Sequence, residues 1–131
     1  MERSTDVESF TEGMYAMMRA GDGAGAAALL DDEVTIFVGT DAEEWWDTPA
    51  VSKAAFREQL DATGGFEITA GGPVAYSDGD VGWVADQPTM RIGEHEVPMR
   101  MTCVVRRVDG QWRVVQGHLS IAANINQDLF S

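Results

Sequence analysis

Met99–Ala122, MRMTCVVRRVDGQWRVVQGHLSIA, is the stretch whose reading decides the fold. Two β-rich runs, residues 100–105 and 112–120, flank Asp109-Gly110. Asp-Gly between such runs signals a hairpin, because a tight turn needs positive φ that Gly takes freely and Asp tolerates. The register then decides which side chains share a face. A two-residue turn sets Arg106 opposite Arg113, and like charges directly opposed are unfavourable. A three-residue turn, with Gly110 in the left-handed position of a bulge, avoids that clash. It predicts Arg106 against Trp112, Val104 against Val114, Thr102 against Gln116 and Arg100 against His118. One face then carries Arg100, Thr102, Gln116, His118 and Ser120, with Val104 and Val114 deeper in. This polar row is either a surface row or the wall of a pocket.

Upstream of the hairpin, Val81 to Ile92 reads as one long strand, with Gly93-Glu94 as the turn into it. Phe66 to Ala70 and Val74 to Ser77 read as shorter strands, separated by Gly71-Gly72-Pro73. Before these the pattern changes period. Val7, Phe10, Met14, Met17 and Met18 make an apolar stripe at helical spacing over residues 5 to 20. Thr5 and Glu8 have the spacing of a capping box, and Gly21 ends the run. Ala24 to Leu30 is a short second helix leading to Asp31-Asp32-Glu33, read as a solvated turn. Val34 to Val38 is a strand. Thr48-Pro49 starts a third helix, with Thr as the cap and Pro at the first position, and Gly64-Gly65 stops it. Asn124 to Ser131 is a tail whose Leu129 and Phe130 are candidates to dock on the body. Helices first and antiparallel strands after them describe an α+β domain: about three N-terminal helices on the concave face of a curved, cone-shaped antiparallel sheet. At 131 residues the chain reads as a single domain over residues 1–131, with no repeats and no linker.

Composition narrows the partners. The nine basic residues, eight arginines and Lys53, face 22 acids, for a net charge of −13. Such a surface repels nucleic acid and anionic membranes. No apolar run is long enough to span a bilayer. Cys103 is the single cysteine, so no intrachain disulfide and no cysteine-based metal site forms, and a reducing cytoplasm fits. The acidic trio at 31–33 has no histidine at ligand spacing, so no metal is expected. Phosphate loops, dinucleotide fingerprints and nucleophile elbows are missing too, and no cofactor is expected.

One segment stands out. Gly39-Thr40-Asp41-Ala42-Glu43-Glu44-Trp45-Trp46 puts two adjacent tryptophans in an acidic loop. Trp45 and Trp46 lay their indoles over the mouth of the core, or one of them lines a ligand cavity, and the two readings are compatible if the core contains a cavity. Together with VGWVAD (81–86) and the closing hairpin, this loop resembles the SnoaL-like branch of the nuclear transport factor 2-like superfamily, over nearly the whole chain. That superfamily holds ketosteroid isomerase, scytalone dehydratase, limonene epoxide hydrolase and polyketide cyclases, beside many members without chemistry.

The resemblance implies a cavity between the concave sheet face and the helices, holding an Asp or His acid/base. Asp86 and His118 are the catalytic candidates, and Arg100 would anchor an anionic or enolate oxygen. Thr102, Gln116, Trp45, Trp46 and Tyr15 are the ligand-binding candidates. Asp86 reaches such a cavity only if its face of the strand is concave, in which case Trp83 points outward. The same three charged residues can equally form a buried Arg-Asp-His network that satisfies itself. Two functions follow. One is a cofactor-independent isomerase, lyase or cyclase acting on a small apolar molecule with a carbonyl or carboxylate. The other is a non-catalytic ligand-binding or dimeric interaction module. A homodimer is expected in both.

Overall fold

The computed structural model describes residues 1–124, so the expected docking of Leu129 and Phe130 lies outside the described residues. The elements are β1 (Glu2–Arg3), α1 (Thr5–Ala20), α2 (Gly23–Ala28), β2 (Ile36–Val38), β3 (Trp45–Trp46), α3 (Pro49–Thr63), β4 (Glu67–Thr69), β5 (Val74–Asp78), β6 (Val81–Asp86), β7 (Thr89–Ile92), β8 (His95–Val108) and β9 (Gln111–Ile121). The sheet runs β1-β5-β6-β8-β9-β2-β3, with β7 and β4 branching from β8. The fold is α+β, three helices on a large, curved, unclosed sheet.

The helices start and stop where local chemistry dictates. Thr48 caps α3 by accepting from the Val51 N–H at 3.1 Å, Pro49 opens it, and Gly64 closes it at φ 73°. The α1 cap falls one residue earlier than its capping box predicts. Ser4 Oγ accepts from the Val7 N–H, while Glu8 turns away from the cap and accepts from Arg3 at 2.7 Å and from the Ala75 N–H at 3.4 Å. The buried face of α1 is Val7, Thr11, Met14, Tyr15 and Met18.

Three corrections concern the sheet. It is mixed, because β2 runs parallel to β9. The link between those strands is most of the chain rather than a turn, so nothing local imposes the antiparallel direction. The run Val81–Ile92 is two strands. Pro88 has no N–H to donate, and the chain breaks there. β6 then pairs with Met101–Arg106 of β8 and β7 with His95–Pro98.

The third correction is the hairpin register. The turn has two residues, with Asp109 at φ 50° and Gly110 at φ 78°. Arg106 does lie opposite Arg113. The repulsion is relieved because the two side chains leave in different directions. Arg106 grips Asp31 through Nε and Nη2 at 2.7 and 2.9 Å, and Arg113 turns to Gln111 Oε1 at 2.8 Å. The bulge sits further along: Val105 pairs with Val114 and Val104 with Gln116, leaving Val115 unpaired. Thr102 therefore faces His118, and Arg100 faces Ser120.

That bulge changes the parity of β9. Val114 and Gly117 both point into the core, although an unbroken strand would put them on opposite faces. Val114 is thus separated from the polar row that it was expected to join. The core is built from the inner faces of α1 and α3, Phe37 and Trp46, and Ile68, Val84, Met101, Cys103, Val105 and Val114 of the sheet. Asp31 is part of this interior rather than of a solvated turn. Its carboxylate accepts from Arg106 and from the backbone N–H groups of Glu33 and Val34. Burial alone would raise its pKa; the Arg106 and backbone hydrogen bonds outweigh that and hold it below the ordinary carboxylate range.

Candidate functional site

The concave face of the sheet does not close on the helices at the end where α1 stops. A cavity of about 370 Å³ remains there. Its floor is Met90, Met99 and Leu119 from β7, β8 and β9, and its walls include Phe37, Trp46, Phe56 and Phe66. Three of these rings lock together. Phe37 and Phe56 meet edge to face at 4.7 Å, Trp46 and Phe56 at 5.5 Å, and Phe37 lies 6.0 Å from Trp46. Gly117 is what lets Phe37 lie flat on the strand: a Cβ there would stand 2.3 Å from its ring. Thr40, Glu44, Gln59 and Thr63 supply the polar groups of the lining, and Ile92 and Ile121 stand at the mouth. Apolar walls with a few convergent polar groups are the usual make-up of a ligand site.

The acidic loop builds the polar side. The Gly39 N–H donates to the Glu44 carbonyl at 2.8 Å, and the Asp41 N–H donates to Glu44 Oε1 at 3.0 Å. Gln59 Nε2 reaches Glu44 Oε2 at 3.4 Å. The carboxylate lies over Gly39, where a Cβ would come within 2.7 Å of it. Thr40 ties the loop to the sheet by accepting from the Ile121 N–H at 2.9 Å. The pairing of β2 with β3 then separates the two tryptophans. Trp46, opposite Phe37, is buried in the cavity wall, and Trp45, opposite Val38, is 63% exposed on the other face.

Asp86 points inward and Trp83 outward, so the concave face carries Asp86. Asp86 sits beside Tyr15, whose hydroxyl donates to its Oδ2 at 2.9 Å. The Gly71, Gly72 and Gln87 N–H groups donate to the same carboxylate at 3.2, 2.9 and 2.8 Å. Burial, and then the Asp86 charge, push the Tyr15 phenol far above its ordinary pKa. The pair belongs to the core under α1 and does not line the aromatic cavity.

Arg100, Thr102, Gln116 and His118 share one face, as the alternation implied, and it is the outer face of the sheet. Arg100, Thr102 and His118 are exposed and Gln116 is half-buried. His118 stands between Thr102 and Val38, next to the row that ends in Trp45. Arg100 and Thr102 border an open outer groove that Asp86 reaches from its strand end. The structure thus brings Tyr15 and Asp86 together under α1, sets Asp86 with Arg100 and Thr102 along the outer groove, leaves Gln116 and His118 elsewhere on the outer face, and puts Trp46 alone of the candidates in the aromatic cavity. Sequence reasoning missed Glu44, Gln59 and Phe56. Helical spacing held a signal for two of them, since Phe56, Gln59 and Thr63 recur on one side of α3. Among the described residues no group of three or more His, Cys, Asp or Glu is placed to hold a metal ion. No described helix is long and apolar enough to cross a membrane.

The chain matches the family model described as SnoaL-like domain over residues 7–124. No curated protein matches it. Among solved structures it is similar to a nuclear transport factor 2-like protein of unknown function from Pseudomonas putida, with a TM-score of 0.77 and 20% identity over 95% of this chain and 93% of that one. A provisionally assigned calcium/calmodulin-dependent protein kinase type II association domain from Thiobacillus denitrificans superposes with a TM-score of 0.74 and 22% identity, covering 88% of this chain and 94% of that one. A provisionally assigned ketosteroid isomerase from Parabacteroides distasonis gives a TM-score of 0.73 and 17% identity, covering 91% and 87%. At these identities the neighbours establish the fold, and one fold serves many functions. With the family match spanning nearly all of the chain, this protein belongs to the SnoaL-like domain family, on the nuclear transport factor 2-like fold.

Proposed function

We propose that this SnoaL-like domain binds a small, mostly apolar molecule in the cavity between α3, the end of α1 and the concave sheet face. The observation that carries the reading is the 370 Å³ space walled by Phe37, Trp46 and Phe56 and floored by two methionines and a leucine. Its polar groups are Thr40, Glu44, Gln59 and Thr63, so the ligand carries its polar end toward them. A carbonyl would meet the Gln59 amide. A carboxylate would find no cation among the described lining residues, and Arg100 lies on the opposite face of the sheet.

Binding without chemistry is the reading the geometry favours. All the acceptor positions of Asp86 are engaged by Tyr15 and three backbone N–H groups, which suits a tie more than a base. For Asp86 to act catalytically it must release one of these bonds, and for His118 the substrate must lie on the outer face. Isomerase, lyase or cyclase chemistry inside the cavity would fall to Glu44, the carboxylate among the described lining residues. The single, buried Cys103 thiol suits a reducing cytoplasm.

The test is a titration with N-phenyl-1-naphthylamine, a neutral probe that brightens in apolar sites. The expected result is saturable binding to one site, abolished in Leu119→Trp, which fills the cavity, with the fold intact by circular dichroism. Undiminished binding by that variant would place the probe elsewhere and overturn the reading.

A second reading, compatible with the first, is a homodimer through the outer sheet face. Tyr76 and Trp83 stack there at 5.3 Å, and Val74, Val81 and Trp83 are exposed. Contiguous exposed apolar surface of this kind marks an interface. Sedimentation velocity of the wild type as a dimer and of Trp83→Glu as a monomer is the expected outcome; a monomeric wild type at micromolar concentration overturns it.

A further inference from the structure

The cavity is asymmetric in charge as well as in polarity. Among the described residues that line it, Glu44 is the one charged side chain, and neither arginine nor lysine contributes. Just outside, Asp41, Glu43 and Glu58 line a groove that shares Glu44, Trp46, Gln59 and Thr63 with the cavity. These four carboxylates, Asp41, Glu43, Glu44 and Glu58, favour the approach of a cation over that of an anion on this side of the cavity. Inside, Trp46 is part of the wall, and an indole is the side chain that holds organic cations best.

The Glu44 carboxylate is built into place rather than loosely present. It lies on Gly39, whose missing side chain makes the room, and it is held by the Asp41 N–H and Gln59. Those two donors leave lone pairs free on a group that can accept about four hydrogen bonds. The arrangement suits a donor with positive charge at the end of an apolar body.

We infer that the cavity selects an amphiphilic amine: an apolar chain or ring against Phe37, Phe56 and Met99, and an ammonium group between Glu44 and Trp46. This rests on the cavity being the ligand site. It replaces the carbonyl or carboxylate expected when Arg100 was assigned to the pocket. The acid–indole pair, not the net charge of −13, is the source of selectivity.

The experiment compares decylamine, decanol and decanoate, each below its micelle concentration, by calorimetry and tryptophan quenching at neutral pH. Decylamine should bind about tenfold more tightly than decanol, the scale of a charge-assisted hydrogen bond, with decanoate weaker than both. Glu44→Gln should bring decylamine to the decanol level and leave decanol binding intact. Asp78→Asn, which removes one charge from an exposed strand end away from the cavity, should leave the preference unchanged. Equal binding of amine and alcohol, or a preference that survives Glu44→Gln, overturns the inference while the cavity reading stands. Failure of all three ligands to bind overturns both.

Discussion

Tyr15→Phe tests whether the buried Tyr15–Asp86 pair ties α1 to the sheet. Tyr15 is 0% and Asp86 7% exposed, and their hydrogen bond is 2.9 Å long. Phenylalanine keeps the ring and removes only the hydroxyl, so no sizeable cavity opens. What remains on Asp86 Oδ2 is the longer bond from Gly71 at 3.2 Å. A hydrogen bond to a carboxylate contributes about 1.5–3 kcal/mol, and the loss should fall in that range because both groups are buried. With a urea slope of about 1.5 kcal/mol/M, the midpoint should drop by about 1–2 M at unchanged slope. The assay is urea unfolding followed by tryptophan fluorescence, repeated in an Asp86→Asn background. There the Tyr15→Phe penalty should shrink by more than half, because its partner is already altered. A loss below about 0.5 kcal/mol, or equal losses in both backgrounds, would refute the account. The sign of the pH effect is set by the raised Tyr15 pKa. The unfolded phenol titrates near pH 10 and the folded one does so only at higher pH, so the wild type loses stability above about pH 10. Tyr15→Phe should flatten that decline.

Four further outcomes follow from other parts of the fold. Asp31→Ala should cost about 3 kcal/mol, at the low end for a broken buried pair because the Arg106 side chain is 35% exposed. The depressed Asp31 pKa means its contribution is present above the unfolded value near 4 and lost as pH falls through the lower folded value, so the urea midpoint between about pH 5 and 2 should fall less steeply in Asp31→Asn than in the wild type. Gly117→Ala drives a Cβ to 2.3 Å from Phe37, whose ring is held by Trp46 and Phe56, and should cost about 3 kcal/mol in the same urea assay; a neutral result would mean that the aromatic wall can move. Burial pushes the Cys103 thiol up to about 12, so a disulfide reagent at pH 8 should label it only on unfolding, and rapid labelling of the native protein would show an opening that the packing does not provide.

What the chain settles by itself is what short-range chemistry settles. Thr48-Pro49 and Gly64 bound α3, Gly21 ends α1, and Asp109-Gly110 turns the closing hairpin, because caps and left-handed glycines act within a few residues. The α+β order and the shared face of Arg100, Thr102, Gln116 and His118 follow from period alone. The direction in which that face points does not. The unpaired Val115 shifts β9 by one residue, so Val114 and Gly117 turn inward and His118 outward, and no residue near Val115 announces it. The like-charge argument against Arg106 facing Arg113 was sound locally and failed because Asp31, 75 residues away from Arg106, takes the charge. Asp86 is likewise committed by Tyr15, 71 residues earlier. Contacts between segments so distant in sequence form only when the sheet closes on its helices, and so the aromatic cavity and its Glu44 were left to the tertiary structure.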